Sequence, residues 1–150
     1  MTKFYKAHES GRSMVEIVGV LGVMGLISIG AFVLIRSGMT NQKRTMVMDD
    51  VASIVTGVHA LFADYDDYSK MGTDCSAGKG ENILAAIGVG SAGPYENVSY
   101  SICRTSDKKQ FKVGVNNLSE SDCSVLAAKA WTSGIVTNNC SNSQIIITYN

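Results

Sequence analysis

Several things are scarce in this 150-residue chain, and each scarcity removes a class of protein. There is no excess charge of either sign: Lys plus Arg equals Asp plus Glu at 13 each. No basic face is therefore expected, and nucleic acid is not an expected partner. Proline occurs once, at Pro94, which excludes a proline-rich linker. Cysteine is missing from the first 74 residues, and no C-x-x-C occurs; the long cysteine spacings argue against zinc. His59 has no second ligand spaced from it. No nucleophile arrangement, P-loop or paired metal box is present. Neither an enzyme nor a cofactor is expected. There is no internal repeat and no low-complexity block.

What is present is a long run without charge. Ile17 to Ile35 is nineteen residues, and Ser28 is its one clearly polar side chain. As a helix it would span about 28 Å, close to the hydrocarbon thickness of a bilayer. A secretory signal has a shorter apolar core, about 7–15 residues, and "SIGA" at 28–31 could imitate its cleavage site. The run length favours a retained membrane helix. Lys3, Lys6 and Arg12 precede the run and Arg36, Lys43 and Arg44 follow it, so flanking charge does not decide orientation. The four cysteines, Cys75, Cys103, Cys123 and Cys140, all follow the run. An even number beside a membrane segment points to disulfides in an oxidising compartment. That places the N-terminus in the cytoplasm and the second half outside.

Glu16 stands at the entrance of the run. A carboxylate in a bilayer costs about 2.5–3.5 kcal/mol on insertion scales and needs a partner. One reading puts Glu16 at the headgroups beside Arg12, its i, i+4 neighbour. The other has it neutralise a cation brought by a second copy of the same helix. Gly19, Gly22, Gly25 and Ser28 recur at every third residue, and small residues let membrane helices approach closely. They also weaken a helix, so the segment could pack tightly, bend or partly melt.

Beyond Arg36 the pattern changes. Val47, Val51, Ile54, Val55, Val58, Leu61, Phe62 and Tyr65 follow three- and four-residue steps, predicting an amphipathic helix with one buried stripe. Asp49, Asp50 and Thr56 fall elsewhere on the wheel. The helix is expected to run from about Ser13 to about Asp64, with Gly38 as a possible kink. His59 reads as a surface or core residue.

Residues 64–80, "DYDDYSKMGTDCSAGKG", are rich in turn formers and predict a loop. "ENILAAIG", 81–88, predicts a short helix stopped by Gly88. "NVSYSICR" at 97–104 and "QFKVGV" at 110–115 predict a hairpin turning at Asp107–Lys109. Ser119 and Asp122 fit a capping box with Asp in place of Glu, ahead of a helix from about Glu120 to Trp131. "QIIITYN" predicts a final strand. The order gives an α+β fold: a long N-terminal helix packed on a small antiparallel sheet of three or four strands. Four cysteines allow three connectivities. The favoured pairs are Cys75 with Cys103, tying the loop to the hairpin, and Cys123 with Cys140, tying the second short helix to the approach of the last strand.

"ESGRSMVE" followed by an uncharged helix resembles the prepilin signature of type IV pilins and the related secretion pseudopilins. The resemblance implies cleavage after Gly11 by a prepilin peptidase on the cytoplasmic face, followed by methylation of the new amino terminus at Arg12. Glu16 then stands fifth in the mature chain, where family members carry the carboxylate that pairs with a neighbour's free amine and sets filament register. Arg12 departs from the Phe or Met usual at the first place. It must stay near headgroups or find an acid, which bears on methylation more than on cleavage. Family filaments often loosen the helix where the glycines lie. "DCSVLAAKAW" with "NNCSNSQIIITYN" resembles the disulfide-closed C-terminal region of type IVb pilins.

These likenesses divide the chain into a leader over 1–11, a transmembrane and assembly helix over 12–36, its amphipathic continuation over 37–64 and a pilin head over 65–150. They imply a homo-oligomeric helical filament, an assembly platform and an ATPase. The precursor would lie in the bacterial inner membrane with its head in the periplasm, and the filament would be extracellular. Adhesion, conjugation and other filament roles are not distinguished. Two alternatives remain: a type II secretion pseudopilin, and an anchored exported domain that never polymerises.

Overall fold

A computed structural model describes residues 14–150, apart from the side chains of Asn138 and Asn139. Gly11 and Arg12, and with them the expected cleavage site, lie outside the described residues. The elements run α1 (Met14–Leu61), α2 (Glu81–Ala86), β1 (Ser99–Arg104), β2 (Phe111–Asn116), α3 (Glu120–Ala127), β3 (Ile135–Ser141) and β4 (Gln144–Tyr149). The chain forms two compact units, divided after Thr40. The first contains the apolar part of α1. The second contains the rest of α1 and all other elements, and is the α+β head.

Within the head, the four strands form one antiparallel sheet in the order β1-β2-β4-β3. Alternation sends Tyr100 and Ile102 of β1, Phe111, Val113 and Val115 of β2, and Ile145, Ile147 and Tyr149 of β4 to one face. All eight are buried in one core with the α1 stripe Val47, Val51, Ile54 and Val58. Those four stripe residues are fully buried, each contributing about 1.5–3 kcal/mol relative to exposure. The stripe is narrower than its spacing predicts: Phe62 is buried, but Leu61 and Tyr65 are 40% and 48% exposed. Leu61 lies about 100° around the helix from Phe62. Tyr65 lies beyond the helix end, in a turn closed by its N–H donating to the Phe62 carbonyl at 2.9 Å.

The helix α3 ends earlier than expected, at Ala127. Trp131 leaves the helical path so that its indole N–H donates to the Leu126 carbonyl at 3.1 Å while its ring is buried. The start follows the capping pattern in part. Ser119 Oγ accepts from the Asp122 N–H. The Asp122 carboxylate does not reach back to the Ser119 backbone; it accepts from the Ser119 hydroxyl at 2.7 Å and from Arg44 Nε on α1 at 2.8 Å.

The strand β3 has no counterpart in the sequence pattern. "IVTNNCS" is polar, and its pairing with β4 is interrupted by two register shifts. Its hairpin turn, Asn142–Ser143, has φ of 56° and 57°, the signature of a type I′ turn, which sequence usually marks with Asn-Gly. Cys75 bridges Cys103 and Cys123 bridges Cys140, with Cα atoms 5.1 and 5.6 Å apart, inside the ordinary disulfide range.

Gly57 makes a sharp test of packing. A Cβ there would stand 2.8 Å from the Cβ of Ile87, just past α2. In an open helix Gly→Ala is worth about 1 kcal/mol of stabilisation. Here overpacking reverses the sign: Gly57→Ala is expected to destabilise the head by about 1–3 kcal/mol in denaturant titration. A stabilised variant would contradict this packing.

Candidate assembly surface

Among the described residues of the first unit, α1 is apolar all round from Ile17 to Ile35 and uncovered. Met14 is 82% exposed and Leu34 74%, and Ile17, Val20, Leu21, Met24, Ile27 and Phe32 are exposed as well. The backbone is helical throughout this stretch, so its polar groups are satisfied within the segment, as a lipid phase requires. The Ser28 hydroxyl donates to the Met24 carbonyl at 2.8 Å, and Thr40 to Arg36 at 3.1 Å. Neither adds an open polar group to the surface. The helix is long and apolar enough to cross a membrane.

Glu16 lies in the first turn of α1, where the helix dipole favours a carboxylate. Gly19, Gly22, Gly25 and Gly30 leave open space around them: a Cβ at each would meet nothing within 4 Å. A three-residue step turns about 300° around a helix, so the series 19, 22, 25, 28 winds half-way round and does not form one flat stripe. Gly30, eleven residues from Gly19, returns to within about 20° of it. The small residues thus thin the helix on several sides.

In the head, the charged groups tie α1 to other elements. Arg44 and Asp122 form an ion pair with side chains 20% and 11% exposed. The Tyr100 hydroxyl donates to Asp50 Oδ2 at 2.7 Å. Sequence spacing set Asp50 aside as off the stripe; its contact was invisible because its partner lies fifty residues away. His59 packs edge-on against Phe111 at 5.3 Å between ring centres, and its Nδ1 is 3.5 Å from the Tyr68 hydroxyl. It lines an open groove of about 650 Å³ with Val55, Trp131 and Tyr149. No group of three or more His, Cys, Asp or Glu side chains among the described residues could hold a metal.

Two sequence relatives are found, both named toxin coregulated pilin, from Vibrio cholerae, one of them from a serotype O1 strain. Each is 22% identical over 129 residues, covering 81% of this chain and 58% of the relative. The chain is distantly similar to these pilins, consistent with the type IV pilin family. It spans under two thirds of the length of these pilins. No family model and no solved structure matches it. The pilin likeness joins the two units in one description: an uncovered apolar helix and a disulfide-bonded α+β head.

Burial raises the phenols Tyr68, Tyr95, Tyr100 and Tyr149 of this pilin-like head, the last two most. It pushes Tyr149 up to about 12, and it raises Tyr100 further, with the Asp50 hydrogen bond adding to the effect. A phenol whose folded pKa is raised binds its proton more tightly in the folded state. Its stabilisation is complete below the unfolded value near 10 and is lost as pH climbs through 12. Head stability is therefore expected to fall over pH 10–12, with Tyr149 contributing about 1.4 kcal/mol per pH unit. In denaturant titrations Tyr149→Phe should flatten the slope by that amount; an unchanged slope would contradict the burial of this hydroxyl.

Proposed function

We propose that the chain is a structural subunit of a type IV pilus of the type IVb class, processed by cleavage after Gly11 and methylation at Arg12. The carrying observation is the helix surface from Ile17 to Ile35, apolar on every side and uncovered by the described residues of its own unit, in a chain similar to pilins. Such a surface needs lipid before assembly and copies of itself afterwards. Within a helical filament core, Glu16 would meet the terminal amine of a neighbouring subunit. Each charge is costly in an apolar core alone, and pairing offsets that cost. A misregistered subunit would leave both charges unpaired, so the pair selects the axial register.

The thinned helix around Gly19, Gly22 and Gly25 allows close approach of neighbours in the core. The head would fold in the periplasm, where its disulfides form, and would make the filament's outer surface. A prepilin peptidase, an assembly ATPase and a platform in the inner membrane are the partners this reading calls for. No catalytic step falls to the chain itself.

The test is Glu16→Ala in a host carrying the assembly machinery. Sheared surface material is examined by electron microscopy, and the membrane fraction by immunoblot. The expected result is a loss of at least about tenfold in filaments, since removing one partner of a buried pair costs several kcal/mol, with unchanged membrane level. Short or absent filaments from the parent chain would favour a pseudopilin. A variant indistinguishable from a filament-forming parent would remove Glu16 from the register.

A further inference from the structure

The sheet has a second face, and it is not left to solvent. Alternation sends Ser101 and Cys103 of β1, Gly114 and Asn116 of β2, and Gln144 of β4 away from α1. Ser101 and Asn116 are nevertheless buried, beneath the segment that links α1 to α2. Their polar atoms converge on one carbonyl of that segment. Ser101 Oγ donates to the Cys75 oxygen at 2.7 Å, and Gln144 Nε2 donates to the same oxygen at 2.8 Å. Asn116 joins the two donors: its Nδ2 donates to Ser101 Oγ at 3.0 Å, and its Oδ1 accepts from Gln144 Nε2 at 2.6 Å.

Gly114 completes the arrangement. A Cβ there would collide with Ser101 Oγ and stand 3.2 Å from both the Cys75 oxygen and Gln144 Nε2. The absence of a side chain at the centre of the face makes room for the carbonyl and its donors. The same segment also runs along the outer edge of β1. The Ile102 N–H donates to the Lys79 carbonyl at 3.2 Å and the Arg104 N–H to the Gly72 carbonyl at 2.8 Å. Arg104 Nε donates to the Met71 carbonyl at 2.9 Å.

We infer that a polar clamp of Ser101, Asn116 and Gln144, admitted by Gly114, seats the α1–α2 segment on the sheet through the Cys75 carbonyl, independently of the Cys75–Cys103 disulfide. The physical ground is the cost of the alternative. Lifting the segment would take the Cys75 acceptor from two donors at once, the buried Ser101 and the half-buried Gln144, and a buried donor without a partner is penalised more than its bond contributes when made. The clamp holds the backbone of Cys75 itself, so the sulfur is delivered to Cys103 by hydrogen bonds. The disulfide then locks a loop already in place. The clamp also closes the edge of β1, which would otherwise offer unpaired N–H groups to another chain.

The full chain in detergent micelles carries its own reporters: the amides of Ile102 and Arg104, whose acceptors belong to the segment. Their hydrogen exchange is measured relative to the amides of β2, which report opening of the whole sheet. In the Cys75→Ala, Cys103→Ala double variant, this relative protection should stay within about threefold of the parent. In Ser101→Ala, Gln144→Ala, with both disulfides intact, it should fall by about ten- to a hundredfold, the loss of both donors to the Cys75 carbonyl and of a partner for Asn116 Oδ1, while Asn116 Nδ2 keeps the Ser99 carbonyl. Gly114→Ala keeps every polar group and both cysteines, and should move the reporters in the same direction. Reduction of a Cys123→Ala, Cys140→Ala variant by dithiothreitol opens the Cys75–Cys103 bridge alone and repeats the first arm with both of its cysteines in place. Loss of protection on removing the bridge, by either route, would overturn the inference. So would full protection in the clamp variant or in Gly114→Ala.

Discussion

Apolar surface that the chain cannot cover by itself governs what this protein can be. Every side chain of α1 from Met14 to Met39 is exposed, and most are large hydrocarbons. Leaving a Leu, Ile, Val or Phe in water forgoes about 1.5–3 kcal/mol per side chain. Over such a length no soluble monomer could bear it. The backbone and the Ser28 hydroxyl are satisfied inside the helix, so nothing polar obstructs transfer to lipid or to a bundle of like helices. Between Met14 and Ile35 one charged group resists, Glu16; under the proposed function its need for neutralisation would turn a non-specific apolar rod into one with a preferred partner and position.

The head meets the opposite demand. It must stay folded with a modest core, and it does so by using both faces of its sheet. The stripe Val47, Val51, Ile54 and Val58 covers one face. The α1–α2 segment covers part of the other, with a polar clamp and a disulfide where a larger domain would place a second helix layer. Arg44 with Asp122 and Tyr100 with Asp50 join α1 to α3 and β1 through charge-assisted bonds. Cys123–Cys140 joins α3 to the irregular strand β3. A head built this way depends little on any one contact.

Local signals in the sequence were strong for α1, because its two periodicities, unbroken apolar and then three-four, need no tertiary information. The β1–β2 hairpin and the cap at Ser119 were legible for the same reason. What escaped was non-local. Strand β3 is polar and bulged, and its type I′ turn is spelled Asn-Ser, so neither alternation nor a turn signal marked it. The last turn of the predicted α3, beyond Ala127, was lost to the buried Trp131. The partners of Asp50, Arg44 and Ser101 are set by packing, and nothing in their spacing along the chain announces them. The leader and Arg12 are legible only as motif, since they precede the described residues.

The central claim is that the apolar helix is retained and that the working chain begins four residues before Glu16. The most direct measurement is the intact mass of the chain recovered from sheared surface material of a host with a prepilin peptidase. The account predicts a species beginning at Arg12, one methyl heavier, and lighter by four hydrogens than its reduced form. A species beginning near Phe32 would show that the apolar run is a cleaved signal. One retaining Met1 would show a simple anchor. Either would contradict the account.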